Sequence, residues 1–440
     1  MSDPSQDDQG CVSSSFFSQL SFLMGVVRSA LVRPHRWLVG GVAVLIVVAA
    51  GRGLDGISSR SGTETPDAVA WPWSSSLGTL EKHTGSRRDA MEVLKRGLDN
   101  PLEIGGAIAW NPRLVARPLL DVITPARGIV TPKTTWAETA GVWSRFLLAV
   151  IVWSIAGVII VRSTAADVAR GESLPFRQTL GFGFRQTGSL LGAVLITFSF
   201  FGALWGLASL GGLFGRIPLV GPYTVSLLWF LPMLLGLLMA ALVIGFVAGW
   251  PLMVATVGVE DSDAFDGFAR GLSYLSDRPA LLVGHVLLGT VVGSVAAFLG
   301  WVIFSLTLSL SSLSVSGGLG IDADGEVWES ISTTDAGSSL VAGREVPSQL
   351  VMPATGSGAR PFPTAFLVFW MWLATTLFAG YLASVFWGLV TGVYLIVRHS
   401  ADGIAMNEVW LDSDDADAAS VEIEGAADED AQENGDPGEG

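Results

Sequence analysis

From Val225 to Val259 the chain runs for 35 residues without a charged side chain. A helix crosses the hydrocarbon core of a bilayer with about 20 apolar residues. In lipid each backbone N–H and C=O must be satisfied within the segment, which leaves a helix as the single-segment solution. Five more apolar blocks repeat the pattern: Trp37–Gly51, Phe146–Val161, Leu190–Leu213, Ala280–Leu313 and Thr364–Val397. Only 15% of the residues are charged, against about 25% in a soluble domain, and the charges gather between the blocks. The reading is an all-α integral membrane bundle of about six transmembrane helices with interfacial amphipathic helices.

Loop charge sets the orientation. Arg162–Thr187 carries Arg162, Arg170, Arg177 and Arg185, the densest cationic loop beside a span. The positive-inside rule places it in the cytoplasm. The same register puts 260–279 inside and both 55–136 and 314–363 outside, where the second of these loops has only Arg344 and Arg360 as cations. Both termini then lie in the cytoplasm of a multi-pass cell-membrane protein.

The chain divides into five regions. Residues 1–36 are a cytoplasmic N-terminal segment, with 1–15 expected to be disordered. Its apolar residues Phe16, Leu20, Leu23, Val27 and Leu31 recur at helical steps beside Arg28, Arg33 and Arg36, the mixture of an interfacial helix. Residues 37–54 are the first span. A cleaved signal is the alternative, because Val48 and Ala50 precede Gly51, although the leader is long for that role. Residues 55–136 are a polar extracytoplasmic segment. A solvated helix is expected over Glu81–Asn100, and Pro112, Pro118 and Pro125 are expected to limit the remainder of this segment to short helices or turns packed on the membrane surface. Residues 137–400 form a five-span membrane domain that includes the outer loop. Pro232 and Pro251 are expected to kink or tilt its long central stretch. Residues 401–440 are an acidic, disordered tail. From Glu408 onward there are 13 acidic residues and no Lys or Arg, so a net charge of −15 falls to −2 once they are set aside.

The two cytoplasmic loops resemble each other. SLPFRQTLGFGFRQTGSLLGAVLI from Ser173 and SDAFDGFARGLSYLSDRPALLVGHVLL from Ser262 each place an early Phe, Phe176 or Phe265, before helical steps of Leu and aromatics. Each lies between an inward and an outward span, so the units read as parallel repeats.

Candidate sites are few. Arg177, Arg185, Arg270 and Arg278 are candidate contacts for anionic lipid headgroups, with topology-setting charge as the plainer reading. His285 is an ionisable group inside the fifth span, read as a neutral imidazole bonded to a neighbouring helix. Asp266 and Asp277 are expected to pair with or cap the second loop helix. Gly236, Ala240, Ala241 and Gly245 are expected to let helices approach closely. Asp322-Ala-Asp324-Gly325-Glu326 lacks the later ligands of a calcium loop. Neither Gly211-Gly212 nor Gly317-Gly318 is followed by the Lys-Ser/Thr of a phosphate loop. No nucleophile–base pair or metal-ligand spacing stands out, so no catalytic residue, cofactor or metal is expected. The single cysteine, Cys11, excludes an intrachain disulfide and does not sit in a lipoprotein signal. Expected partners are membrane lipids and other membrane proteins; nothing basic enough for nucleic acid is present.

Asp263-Ala-Phe-Asp-Gly-Phe-Ala-Arg-Gly-Leu-Ser-Tyr274 with Arg278-Pro279, and Gly392-Val-Tyr-Leu-Ile-Val-Arg398 followed by Asp402-Gly403 and Asn407-Glu408-Val409-Trp410, resemble motifs in a family of uncharacterised bacterial multi-pass membrane proteins. The arrangement is also similar to the membrane domain attached to some glycerophosphodiester phosphodiesterases. The likeness covers Ala137–Trp410 and implies a helical membrane fold. It implies no phosphodiesterase activity, since no catalytic barrel and no His-Arg-Gly motif with following acids occur. A non-enzymatic assembly, scaffold or lipid-organising role is expected; transport of a neutral or lipidic solute is the alternative.

Overall fold

The computed structural model describes residues 4–58, 101–130, 136–218, 220–319 and 364–409. The expectations for Glu81–Asn100, Asp322–Glu326, most of the outer loop and the acidic tail beyond Val409 lie outside the described residues. Every regular element among those described is a helix. In chain order they are α1 (Pro4–Val32), α2 (Pro34–Ser58), α3 (Pro101–Ala109), α4 (Arg117–Val130), α5 (Trp136–Ala165), α6 (Phe176–Arg185), α7 (Thr187–Phe214), α8 (Val220–Leu227), α9 (Phe230–Glu260), α10 (Ala264–Asp277), α11 (Pro279–Leu319) and α12 (Thr364–Asp402). Six segments are long and apolar enough to cross a membrane: α2, α5, α7 together with α6, α9, α11 and α12.

The bundle is built around α12, which contacts α1, α2, α5, α9 and α11. In its apolar stretch 89% of residues are buried, against 11% for α9, whose first half faces outward. Four tryptophans, Trp153, Trp250, Trp301 and Trp387, are among the largest fully buried side chains. Trp250 and Trp387 meet edge to face at 5.5 Å, a favoured arrangement for aromatic quadrupoles. The α2–α12 contact is closer still. A β-carbon added at Gly40 would lie 2.6 Å from the Gly380 carbonyl, and one at Gly380 would lie 2.0 Å from the Trp37 carbonyl. Only glycine permits that approach. Gly40, Gly41, Ala43 and Val44 are the buried face of α2, while Leu38, Val42 and Ile46 on its other side are exposed.

Several boundaries differ from the sequence reading. Helix α1 begins at Pro4, within the stretch expected to be disordered; proline is well suited to a first helical position. The long central stretch breaks at Leu228-Trp229, between α8 and α9, and not at a proline. Pro232 falls in the first turn of α9, where a missing N–H costs no helical bond. Pro251 is internal to the helix. Helix α5 continues past Val161 through Ala165 into a π-type turn, Ala166–Arg170, closed by Gly171 at φ 72°. Arg162 is consequently not a loop charge: it is 2% exposed, with its guanidinium 4.2 Å above the Phe182 ring.

The small residues of α9 divide in two. Nothing lies within 4 Å of a β-carbon at Gly236, and Ala240 and Ala241 are exposed. Close packing starts at Gly245, where the added carbon would meet Leu272 of α10 at 2.9 Å. The reason is the elbow: only the last half of α9 has α10 folded back against it.

Candidate functional site at the charged end of the bundle

One end of the bundle collects the α1–α2 corner, the ends of α5, α9 and α12, and the starts of α7 and α11. Two interfacial elbows, α6 and α10, lie there. Both are amphipathic, and both close tightly on the preceding span. A β-carbon at Gly183 would lie 2.4 Å from Ile159, and one at Gly271 would lie 2.6 Å from Met253. Asp263 caps α10, accepting from the backbone N–H of Phe265 and Asp266 at 2.9 and 2.8 Å. The cap is thus Asp263, not Asp266. Asp277 accepts from the Ser273 hydroxyl at 2.6 Å.

Three carboxylates organise this layer. Asp167, on the π-type turn, takes Arg33 Nη2 at 2.7 Å, Arg36 Nη2 at 3.2 Å and the Ser29 hydroxyl. Arg36 also donates to the Ser163 hydroxyl and carbonyl at 2.7 and 2.8 Å. These bonds fasten the α1–α2 corner to the end of α5. Asp261, which has φ 53°, accepts from Arg185 Nη2 at 3.0 Å and from the Gln186 amide. It fastens the α6–α7 corner to the end of α9.

Glu260 is the third. Its Oε1 accepts from the Tyr394 hydroxyl at 2.6 Å and Arg398 Nη1 at 3.1 Å, and its Oε2 accepts from Arg270. Arg398 is 2% exposed. Its Nη2 donates to the carbonyls of Ala405 and Glu408 at 3.2 and 2.6 Å, while Arg170 Nη1 donates to the Val409 carbonyl at 3.0 Å. The segment after α12 is drawn over the bundle end by these bonds. Beside it, the Tyr274 hydroxyl donates to Asp402. Burial first, and then that bond, push the Tyr274 phenol above its usual range. Glu260, only partly exposed, has three donors for its two oxygens and is satisfied as such groups must be.

Between the end of α5, α10, α12 and the returning 404–409 segment lies a cleft of about 820 Å³. Arg170, Arg270, Arg398, Glu172, Glu260 and Asn407 are among its lining residues. Its charged lining is balanced, with Arg170, Arg270 and Arg398 against Glu172, Glu260 and Glu408, and Arg170 lies 3.4 Å from Glu172.

The four arginines singled out from the sequence share this end but not one role. Arg177 is exposed. Arg185 and Arg270 are engaged by Asp261 and Glu260. Arg278 is exposed and donates to the Ser400 carbonyl at 3.0 Å. His285 bonds the Leu281 carbonyl through Nδ1 at 2.7 Å and faces the Gln19 side chain of α1 through Nε2 at 3.1 Å. It joins α11 to α1. Sequence reasoning missed Arg36, Asp167, Glu260 and Arg398 as a set. The available signal was position: Glu260 closes the uncharged run that holds Val225–Val259, and Arg398 closes the last.

The chain matches no family model, no curated protein sequence and no solved structure.

Proposed function

We propose that the protein is a non-catalytic multi-pass membrane protein that organises lipid, or assembles with other membrane proteins, at the face carrying its elbows. That face is the cytoplasmic one by the positive-inside rule, with both termini there. One observation carries the reading. Phe176, Phe184 and Phe265 are 43%, 62% and 64% exposed, beside the exposed Arg177, Arg185 and Arg278. Outward Phe with neighbouring Arg is the composition of a helix lying in the headgroup layer over anionic lipid. Asp167, Asp261 and Glu260 are held in ion pairs and hydrogen bonds, which suits bracing.

Arg177 and Arg278 have no carboxylate partner among the described residues and are the ones to change. Each surface arginine contributes about 1 kcal/mol toward anionic lipid. Arg177→Gln/Arg278→Gln is expected to cut phosphatidylglycerol retention, read by native mass spectrometry, by about tenfold or more. Phosphatidylcholine retention should not change. Equal retention of phosphatidylglycerol by variant and parent counts against the proposal.

Transport of a neutral or lipidic solute is the second reading. It is favoured by the Ser384 hydroxyl and the Trp387 indole N–H, buried in the middle of α12 with no partner among the described residues. Reconstituted protein would then speed exchange of fluorescent lipid between vesicle leaflets; exchange at the protein-free rate removes that reading.

A further inference from the structure

Residues 101–130 were expected to lie on the outer membrane surface, yet they pack against the middle of the spans. Helix α3 runs down α11: the Trp301 indole donates to the Pro101 carbonyl at 3.1 Å, and a β-carbon at Gly105 would touch Phe298 at 2.9 Å. The turn after α3 goes deeper. A β-carbon at Gly293 would lie 3.0 Å from Leu389 and 3.5 Å from Val115, and Leu114 and Val115 are buried. Helix α4 then climbs along α5, with the Trp153 indole donating to Asp121 Oδ2 at 3.1 Å. Depth can be read from helix geometry. Leu389 is nine residues from Arg398, and Trp153 is nine from Arg162. At about 1.5 Å per residue, both lie about 13.5 Å from the charged end. The middle of a hydrocarbon core is at about 15 Å.

The tip of this hairpin carries two arginines. Arg113 is exposed, and its side chain bonds to no described residue. Arg117 is 12% exposed. Its Nε is 3.6 Å from Asp121 Oδ2, too long for a hydrogen bond, so Nε and Nη2 are left without an acceptor among the described residues. Those two nitrogens share one edge of the guanidinium, the fork that takes a carboxylate or phosphate through two parallel bonds. Asp121 offsets one positive charge, and the other is uncompensated at a depth where a lone cation is strongly unfavourable.

We propose that residues 101–130 are a re-entrant hairpin entering from the face opposite the charged end, and that Arg113 and Arg117 at its tip hold a phosphate group at mid-depth. The phosphate belongs either to a lipid of the opposite leaflet, drawn inward, or to a free phosphate that reaches the tip with water. Both present the same oxyanion to the same fork.

The test uses the full chain in phosphatidylcholine–phosphatidylglycerol vesicles, with Cys11→Ser and a spin label at Trp110→Cys. Trp110, at the tip, is 90% exposed. Collisions with oxygen should exceed those with a water-soluble nickel chelate, as for a mid-chain lipid position. Surface-like nickel accessibility overturns the re-entrant hairpin. In a second arm, the label should speed ³¹P relaxation of a bound lipid fraction, and Arg113→Gln/Arg117→Gln should abolish that effect. In a third, inorganic phosphate should raise the melting temperature of lipid-depleted protein in detergent, again only with both arginines present. A response in the second arm assigns lipid phosphate, and a response in the third alone assigns free phosphate. No response in either overturns the phosphate site even if the hairpin is deep. Arg113→Gln alone, at an exposed position, and the Lys/Lys variant separate loss of binding from loss of fold.

Discussion

Gly380→Leu is expected to prevent α2 from seating on α12 and to leave little folded protein in detergent. The first atom of any side chain at this position would sit 2.0 Å from the Trp37 carbonyl and 2.5 Å from the Gly41 nitrogen. Both are backbone atoms on a helix, so no rotamer change relieves the clash. Overpacking a core usually costs about 1–3 kcal/mol, and a collision with backbone belongs at or above that range. Even Gly380→Ala should lower the melting temperature measurably. Gly236→Ala, on a face with nothing within 4 Å, should be neutral or slightly stabilising, since alanine favours a helix. Equal melting temperatures for the Gly236 and Gly380 variants would contradict the α2–α12 contact. So would intact-mass measurement showing a mature chain without residues 37–51, because Gly380 would then have nothing to meet.

Glu260→Ala should have the second largest effect. Among the described residues it removes the only carboxylate within ion-pair distance of Arg398, which is 2% exposed, and takes away the counter-charge of Arg270. Breaking a buried ion pair from one side typically costs about 3–5 kcal/mol, because the remaining charge is left in a poor solvent. The loss should spread outward, since Arg398 also holds the carbonyls of Ala405 and Glu408. Limited proteolysis should therefore cut near 403–409 sooner in the variant than in the parent. Glu260→Gln/Arg398→Met removes both charges together and should be less damaging than Glu260→Ala. A double variant that is worse than the single one would mean that Arg398 acts mainly through those carbonyls.

The membrane class could be read from the chain because it depends on composition over windows of about 20 residues, and each apolar block became a helix long enough to cross. The elbows were legible for a similar reason. Phe265, Phe268, Leu272 and Leu275 repeat at helical steps, and a periodicity of that kind is local. Boundaries were less legible. Arg162 looked like the end of a span, but Phe182 of α6 supplies an aromatic face that lets the helix carry the charge inside. The proline-rich stretch near Pro118 and Pro125 reads as short helices or turns on the membrane surface, and α3, a turn and α4 are short helices; their place differs, because apolar positions on α5 and α11 receive them.

What the sequence determined by itself was the solvent: uncharged runs this long leave helices in lipid as the way to satisfy their backbone, whatever their neighbours. What only the tertiary structure decided was which charges meet. Arg36 finds Asp167 across 131 positions, Arg398 finds Glu260 across 138, and Trp153 finds Asp121 across 32. Pairing at that separation leaves no periodic trace in the chain. It is set by which helix lies beside which, and close approaches such as Gly40 on Gly380 fix that arrangement.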